Sequence, residues 1–267
     1  MAERKDIWWA AGEAYDPYVG RWSRLVAVEF LDWLDLEPGL AWLDVGCGTG
    51  ALTAAILAHC APRRVTGVDF SADFLAVAKA RVEASRATFR IGDAQALPVP
   101  DRGFDAAVSG LVLNFVPDQA RAVAESRRAV RPGGTVALYV WDYAGEMQLI
   151  RRFWEAAVAL DSSAVALHEG VRFPVCRPEP LEALFKGAEL VGVESRAIDV
   201  PTIFGDFDDY WSPFLCGQGP AGGYCVSLSE EQRAGLRERL RATLPAECDG
   251  SIRLVARAWA VRGTVGG

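Results

Sequence analysis

The chain has 267 residues, 51% of them hydrophobic and 24% charged, with a formal net charge of −7. That length allows one large domain or a domain with a lid, and the apolar half supplies a sizeable core. The acidic balance gives no general attraction to a phosphate backbone and excludes nucleic acid as the expected partner. No stretch approaches the ~20 apolar residues that a bilayer span needs, and no apolar run follows the opening Met1-Ala2-Glu3-Arg4-Lys5-Asp6, so a cytoplasmic protein without a membrane partner is expected. The six cysteines are scattered without a Cys-x-x-Cys pair, which argues against zinc and a disulfide framework, and no metal is expected.

In chain order, the hydrophobic pattern predicts a helix over Arg21–Leu34, a strand over Ala41–Val45, a helix over Ala51–His59 and a strand over Arg64–Asp69. Ser71 reads as the N-cap of a helix carrying Phe74, Leu75, Ala78 and Val82 on one face. A third strand is expected over 89–94 and a fourth over 104–109. A helix over 118–130 is then stopped by Arg131-Pro132-Gly133-Gly134 before a fifth strand over 135–140. Strands alternating with helices of this length imply right-handed crossovers and a parallel sheet, whose ligands bind beyond the carboxyl ends of the strands. After Trp141 the rhythm changes: a helix over 147–167, an irregular stretch over 168–178, a short helix over 181–185 and a strand over 191–200. A second irregular segment begins at Phe204 and runs through the glycines at 217–223. A charged helix over 229–244 and an alternating strand over 252–261 complete the chain.

The run Leu43-Asp44-Val45-Gly46-Cys47-Gly48-Thr49-Gly50 carries the most information. A strand ends in an acid, glycines recur at alternate positions, and a helix follows at once. So little side-chain bulk lets a ligand approach the backbone closely, and the helix start adds unpaired N–H donors and a partial positive field. Gly46-x-Gly48-x-x-Ala51 also satisfies a relaxed dinucleotide fingerprint. Asp44, however, would repel a pyrophosphate and suits a ligand that carries an ammonium group. Asp69 and Asp93 end the next two expected strands. Each of the three acids also has a plain reading as a turn or helix cap, but three at successive strand ends behind one glycine loop are hard to obtain from capping alone.

Asp-x-Gly-x-Gly-x-Gly, the acid-ended strands and the Arg-Pro-Gly-Gly turn, in unbroken order over 42–141, resemble the class I S-adenosylmethionine (SAM) dependent methyltransferases, in their UbiE-like small-molecule branch. The resemblance implies an α/β fold: a Rossmann-like, seven-stranded, mostly parallel sheet with helices on both faces, the last two strands an antiparallel hairpin, plus a helical or irregular lid. It implies a single domain, with an N-terminal helical cap over 1–35, a SAM-binding core over 36–145, lid insertions at 146–180 and 204–245, and late strands at 190–203 and 250–263. The implied cofactor is SAM, leaving as S-adenosylhomocysteine (SAH). Asp44 would meet its amino-acid part, Asp69 its ribose and Asp93 its adenine amino group, with the Ala94 N–H facing the ring. Gly46, Cys47, Gly48, Gly50, Phe70 and Ser109 complete the implied set. Tyr15 to Trp22 looks like a Tyr-x-x-x-Gly-Arg-Trp stretch that closes over the cofactor in relatives, and Arg21 is expected to pair with the SAM carboxylate.

Methyl transfer from a sulfonium is an in-line displacement that needs alignment and exclusion of water rather than a dedicated nucleophile. Candidates to take a proton or to orient the acceptor are His168, Asp142, Tyr143 and Asn114, whereas His59, at a helix end, reads as a cap. Trp141, Trp154, Trp211 and Phe214 could line an apolar acceptor pocket as well as pack a core. The expected activity is methylation of O, N or C on a small aromatic or hydrophobic molecule by a monomer or homodimer. An NAD-dependent oxidoreductase and a non-catalytic SAM-binding regulator are the alternatives.

Overall fold

The computed structural model describes residues 16–267, so 1–15 of the expected cap, Tyr15 included, lie outside the described residues. The chain folds as two compact units. The sheet unit comprises 24–141, 175–198 and 258–267; the helical unit comprises 142–174 and 199–257, together with the described residues 16–23.

Seven strands form one sheet: β1 (Ala41–Val45), β2 (Arg64–Asp69), β3 (Ala87–Ile91), β4 (Phe104–Gly110), β5 (Val130–Trp141), β6 (Leu190–Phe204) and β7 (Ile252–Val265), in the order β3-β2-β1-β4-β5-β7-β6. The helices are α1 (Arg21–Leu34), α2 (Ala51–His59), α3 (Ala72–Arg81), α4 (Gln119–Ala129), α5 (Gln148–Leu160), α6 (Glu169–Arg172), α7 (Pro178–Gly187), α8 (Phe207–Trp211), α9 (Gly219–Ser227) and α10 (Glu230–Thr243).

In the sheet unit, β1 to β5 pair in parallel and β7 runs antiparallel to β5. The outer hairpin of β6 and β7 is tied by an ion pair between Arg262 and Glu194. This is the Rossmann-like mixed sheet expected from the sequence. All five residues of β1 are buried, as a central parallel strand covered on both faces requires. The strand order reverses at β1, with β2 on one side and β4 on the other, so the switch point that accepts ligands falls where the glycine loop begins. Helix α1 buries Val26, Ala27, Phe30, Leu31 and Leu34, spaced three and four apart, and sets Phe30 4.8 Å from the Tyr139 ring. Ser71 caps α3 by accepting from the Phe74 N–H, as its position predicted.

Strand five starts earlier than expected. Val130 already pairs with Phe104, and the register then shifts so that Ala106 pairs with Thr135. The Arg-Pro-Gly-Gly turn is therefore a bulge inside β5, with Gly133 at φ +77°. Asp105 anchors this edge by accepting from the Ala41 N–H (2.7 Å) and from Arg131 Nε (2.5 Å).

In the helical unit, the single helix expected over 147–167 breaks at Asp161, whose Oδ1 accepts from the Ser163 N–H (2.9 Å) and Oγ (2.7 Å) and opens a 3-10 stretch, Ser162–Leu167. The segment expected to be irregular after Phe204 contains α8, a 3-10 turn (Ser212–Cys216) and α9. Its glycines read as breakers in the sequence, but Gly222 packs so closely on Gly217 that a Cβ would lie 2.9 Å from the Gly217 carbonyl carbon. Phe153 stacks on Phe214 at 4.5 Å, Tyr18 meets Phe214 edge-on at 5.6 Å, and Tyr210 donates its hydroxyl to the Leu149 carbonyl. Trp154, Trp211 and Phe214 are thus core residues of this unit. No described helix is long and apolar enough to cross a membrane.

Candidate functional site

The glycine loop leaves β1 with Gly46, Gly48 and Gly50 at φ +72°, +52° and +84°, the left-handed region open to glycine at no steric cost. Its backbone donors are largely committed within the protein. The N–H groups of Gly46 and Cys47 both donate to the Val68 carbonyl (2.7 and 3.0 Å). That of Gly48 donates to Asp69 Oδ2 (2.9 Å), and that of Gly50 to the Cys47 carbonyl (2.9 Å). The loop is therefore pre-shaped by β2 rather than held open for ligand contacts through these groups. A Cβ on Gly48 would meet nothing within 4 Å, whereas one on Gly46 would lie 2.5 Å from Val112 Cγ1. Gly46→Ala combines positive-φ strain with overpacking and should cost roughly 2–4 kcal/mol. A thermal melt within a degree of wild type would refute that account.

Asp44 is fully buried at the end of β1. Its Oδ2 accepts from Thr53 Oγ1 of α2 at 2.6 Å, while Oδ1 has no partner. Burial, with the Asp69 charge as a smaller contribution, pushes its pKa up to about 7 against the pull of the Thr53 hydrogen bond. Asp69 anchors the loop: besides the Gly48 N–H, its Oδ1 accepts from the Ser71 N–H (2.9 Å), and burial holds its carboxyl above the usual range. Phe70, next to it, is 79% exposed, and Ile91, in register with Asp69 on β3, is 63% exposed. Two large apolar side chains thus stand in the open beside the carboxyl ends of β2 and β3. Asp93 is exposed and accepts from the Gln95 N–H (2.8 Å) and side-chain amide (3.0 Å), bonds that hold its carboxyl below the usual range. In this form it organises a tight turn.

Cys47 is buried against Gly67, and burial pushes its thiol pKa far up, so the side chain is packing rather than chemistry. Ala94 and Ser109 line a small cavity, about 20 Å³, between β4 and α4 with Val45, Val112 and Val123. It has room for about one water and none for a nucleoside. Beyond β4 the chain turns sharply: Leu111 sits at φ +63°, a conformation strained for leucine. The 3-10 turn that follows (Leu113–Phe115) buries Asn114, which is 6% exposed with neither its Oδ1 nor its Nδ2 partnered. Two unsatisfied polar side chains therefore lie near the carboxyl ends of two adjacent parallel strands, Asp44 within β1 and Asn114 just past β4.

The other candidates lie in the helical unit and have structural work there. Arg21 pairs with Asp209 (Nη2–Oδ1 3.1 Å) and lies over the rings of Trp22 (4.4 Å) and Phe204 (4.9 Å), so the carboxylate it was expected to find in SAM is supplied by the chain itself. Asp142 accepts from the Gly145 N–H (3.0 Å) and the Glu146 N–H (2.9 Å), folding the turn before α5. Tyr143 is buried against Phe173. His168 caps α6: its Nδ1 accepts from the Gly170 N–H (2.9 Å), its ring stacks on Trp154, and burial lowers its pKa. With Nδ1 committed, the neutral ring carries its proton on Nε2, the wrong tautomer for a general base at that atom.

Sequence reading passed over Glu169. It is 1% exposed, accepts from Trp154 Nε1 and faces the Ala221 N–H at the start of α9. Burial pushes its pKa up to about 7. A carboxyl directly after a capping histidine, in a segment without periodicity, gives no sequence signal of burial.

Residues 43–138 match the family model described as a methyltransferase domain. A demethylmenaquinone methyltransferase of Symbiobacterium thermophilum is 38% identical over 120 residues, 43% of this chain and 47% of that protein. An uncharacterised 37.1 kDa transposon protein of Streptomyces fradiae is 39% identical over 110 residues, 40% of this chain and 32% of that one. The chain thus spans less than half the length of these curated relatives. Among solved structures, a putative methyltransferase of Bacillus halodurans superposes with a TM-score of 0.60 at 16% identity, over 90% of this chain and 99% of that one. A phosphoethanolamine N-methyltransferase of Haemonchus contortus, in complex with phosphomonomethylethanolamine and SAH, gives 0.60 at 17% identity, over 95% and 56%. At such identities the structures bear on the fold alone. The domain match covers the glycine loop and most of the stretch from β1 to β5, and it is this part of the chain that is similar to methyltransferase domains.

Proposed function

We propose that this chain transfers the methyl group of SAM to O, N or C of a small aromatic or hydrophobic molecule, acting in the cytoplasm as a monomer or homodimer. The observation that carries the reading is the unpartnered Oδ1 of Asp44, sealed behind the glycine loop at the sheet's switch point. A buried acceptor left without a donor costs about 1–3 kcal/mol, and an ammonium group satisfies both its hydrogen bond and its charge. The remaining residues fit the same ligand. Gly48 leaves open space, Asp69 offers spare lone pairs for ribose hydroxyls, and the exposed faces of Phe70 and Ile91 suit a purine, with Asp93 and the Ala94 N–H at its polar edge. When bound, SAM supplies an electrophilic methyl carbon. The chain's own part is to bind, orient and exclude water, and orientation alone can supply ~7–11 kcal/mol of the barrier. Asn114, buried with both amide atoms unpaired, is the residue placed to orient a polar atom of the acceptor. Dinucleotide chemistry is disfavoured by the same Asp44, which would face a pyrophosphate. Calorimetric titration should show SAH binding at one site per chain and no heat from NADH; the reverse pattern would overturn the reading.

A further inference from the structure

We infer that the helical unit carries a recognition site for an organic ammonium ion, built from the Glu169 carboxyl, the Tyr18 hydroxyl and the surrounding aromatic rings. Tyr18 is 2% exposed, and its hydroxyl has no hydrogen-bond partner. It stands against the first turn of α9, where a Cβ on Gly219 would lie 3.3 Å from Tyr18 Cε1 and 3.7 Å from its hydroxyl oxygen. Glu169 meets the same turn through the Ala221 N–H, and its charge bears on Tyr18. An acid and an unsatisfied phenol thus converge on one helix start. The walls are aromatic: Trp154 donates to Glu169 and packs at 5.3 Å from Tyr224, and Phe214 lies 5.6 Å from Tyr18.

Among the described residues, what this cluster lacks is a buried cation. Arg172, which acts on Glu169 from the same short helix, is itself exposed and lies over the Phe173 ring. His168 is held neutral by burial and by its capping bond. The other groups that bear on Tyr18, Tyr210 and Cys225, bring no positive charge. A protonated amine on an apolar or aromatic body completes the set, because the carboxylate supplies countercharge, the phenol oxygen accepts an N–H, and ring faces attract the cation.

The inference goes beyond the proposed function and concerns the helical unit by itself, and its test separates the two. Phenethylamine and tryptamine are titrated into the full chain by calorimetry, alongside 2-phenylethanol as the neutral counterpart, with and without SAH. The amines should bind about tenfold or more tightly than the alcohol. Glu169→Gln should lose roughly tenfold and Tyr18→Phe several-fold of amine affinity, both variants keeping the wild-type SAH dissociation constant and a cooperative melting transition. Equal binding of amine and alcohol, no amine binding at all, or full amine affinity in folded Glu169→Gln overturns the inference. Should that variant fail to fold, the amine–alcohol contrast in wild type and the Tyr18→Phe titration decide it. Failure of wild type to bind SAH would instead strike the proposed function.

Discussion

Asp44→Asn should weaken SAH binding by about two orders of magnitude at pH 8 while leaving the chain folded. The amide carbonyl can still accept from Thr53, so the tie between β1 and α2 survives. What changes is the atom at the unpartnered position: an acceptor with a charge becomes an N–H₂ donor facing an ammonium. Removing one partner of a buried, charged hydrogen bond costs ~2–5 kcal/mol, and the lower part of that range corresponds to about two orders of magnitude in affinity. Because the variant also removes a buried acid, its thermal stability at pH 7 should equal or exceed that of wild type. Loss of binding with stability retained separates a ligand-holding Asp44 from one that merely anchors Thr53. The anchor reading predicts unchanged SAH affinity.

The same residue makes a pH prediction. Asp44 titrates near pH 7 in the free protein, and an ammonium partner favours its ionised form. SAH binding therefore releases a proton below that pH, and affinity should fall by up to tenfold per unit as pH drops from 7 towards 5. In Asp44→Asn the profile over that range should be flat. Calorimetry in buffers of different ionisation enthalpy measures the released proton directly, and none released at pH 6 would refute the linkage.

How much of this could be read from the sequence follows from the range of the interactions involved. From Trp42 to Trp141 each buried strand is an apolar run ended by an acid or a glycine, so order and type were visible locally, and the sheet followed from connection rules. The bulge in β5 was not visible, because Arg131-Pro132-Gly133-Gly134 has turn chemistry and only pairing with β4 makes it part of a strand. In the site, the positions of Asp44 and Asp69 were legible but their partners were not. That Asp69 holds the Gly48 N–H, and so commits the loop's donors, depends on a contact 21 residues away. Arg21 shows the limit most plainly: its motif pointed to a carboxylate, and the one it finds is Asp209, 188 residues on. Asp142 and His168 were chosen for their chemistry, yet both are spent on backbone N–H groups within a few residues, the capping reading that acids and histidines always carry. Helix α9 was hidden because a glycine needed for close packing and a glycine that breaks a helix are written alike.

Glu169 should govern the pH dependence of stability. Its pKa is raised from the ordinary 4.5 of an unperturbed chain to about 7 in the fold, so between those values the native state holds a proton that the unfolded chain has released. The stabilisation is fully present below about pH 4.5, declines as pH rises, and is lost once pH passes 7, where both states are ionised. The displacement corresponds to roughly 3 kcal/mol. Asp44 has the same sign, so the wild-type slope contains both groups, and the difference between wild type and a variant isolates one of them. In Glu169→Gln that part of the slope should vanish: urea denaturation at intervals from pH 5 to 8 should give a wild-type-minus-variant difference that shrinks by ~3 kcal/mol across the range. At pH 5 the variant should be the weaker protein by about 1–2 kcal/mol, because a neutral amide offers one acceptor oxygen where Trp154 Nε1 and the Ala221 N–H present two donors. Near pH 8 the order should reverse, since wild type then carries a buried charge with no buried cation beside it among the described residues. A wild-type-minus-variant difference that stays constant with pH would mean that Glu169 is ionised throughout, and that Trp154 and the α9 turn already hold it as a carboxylate.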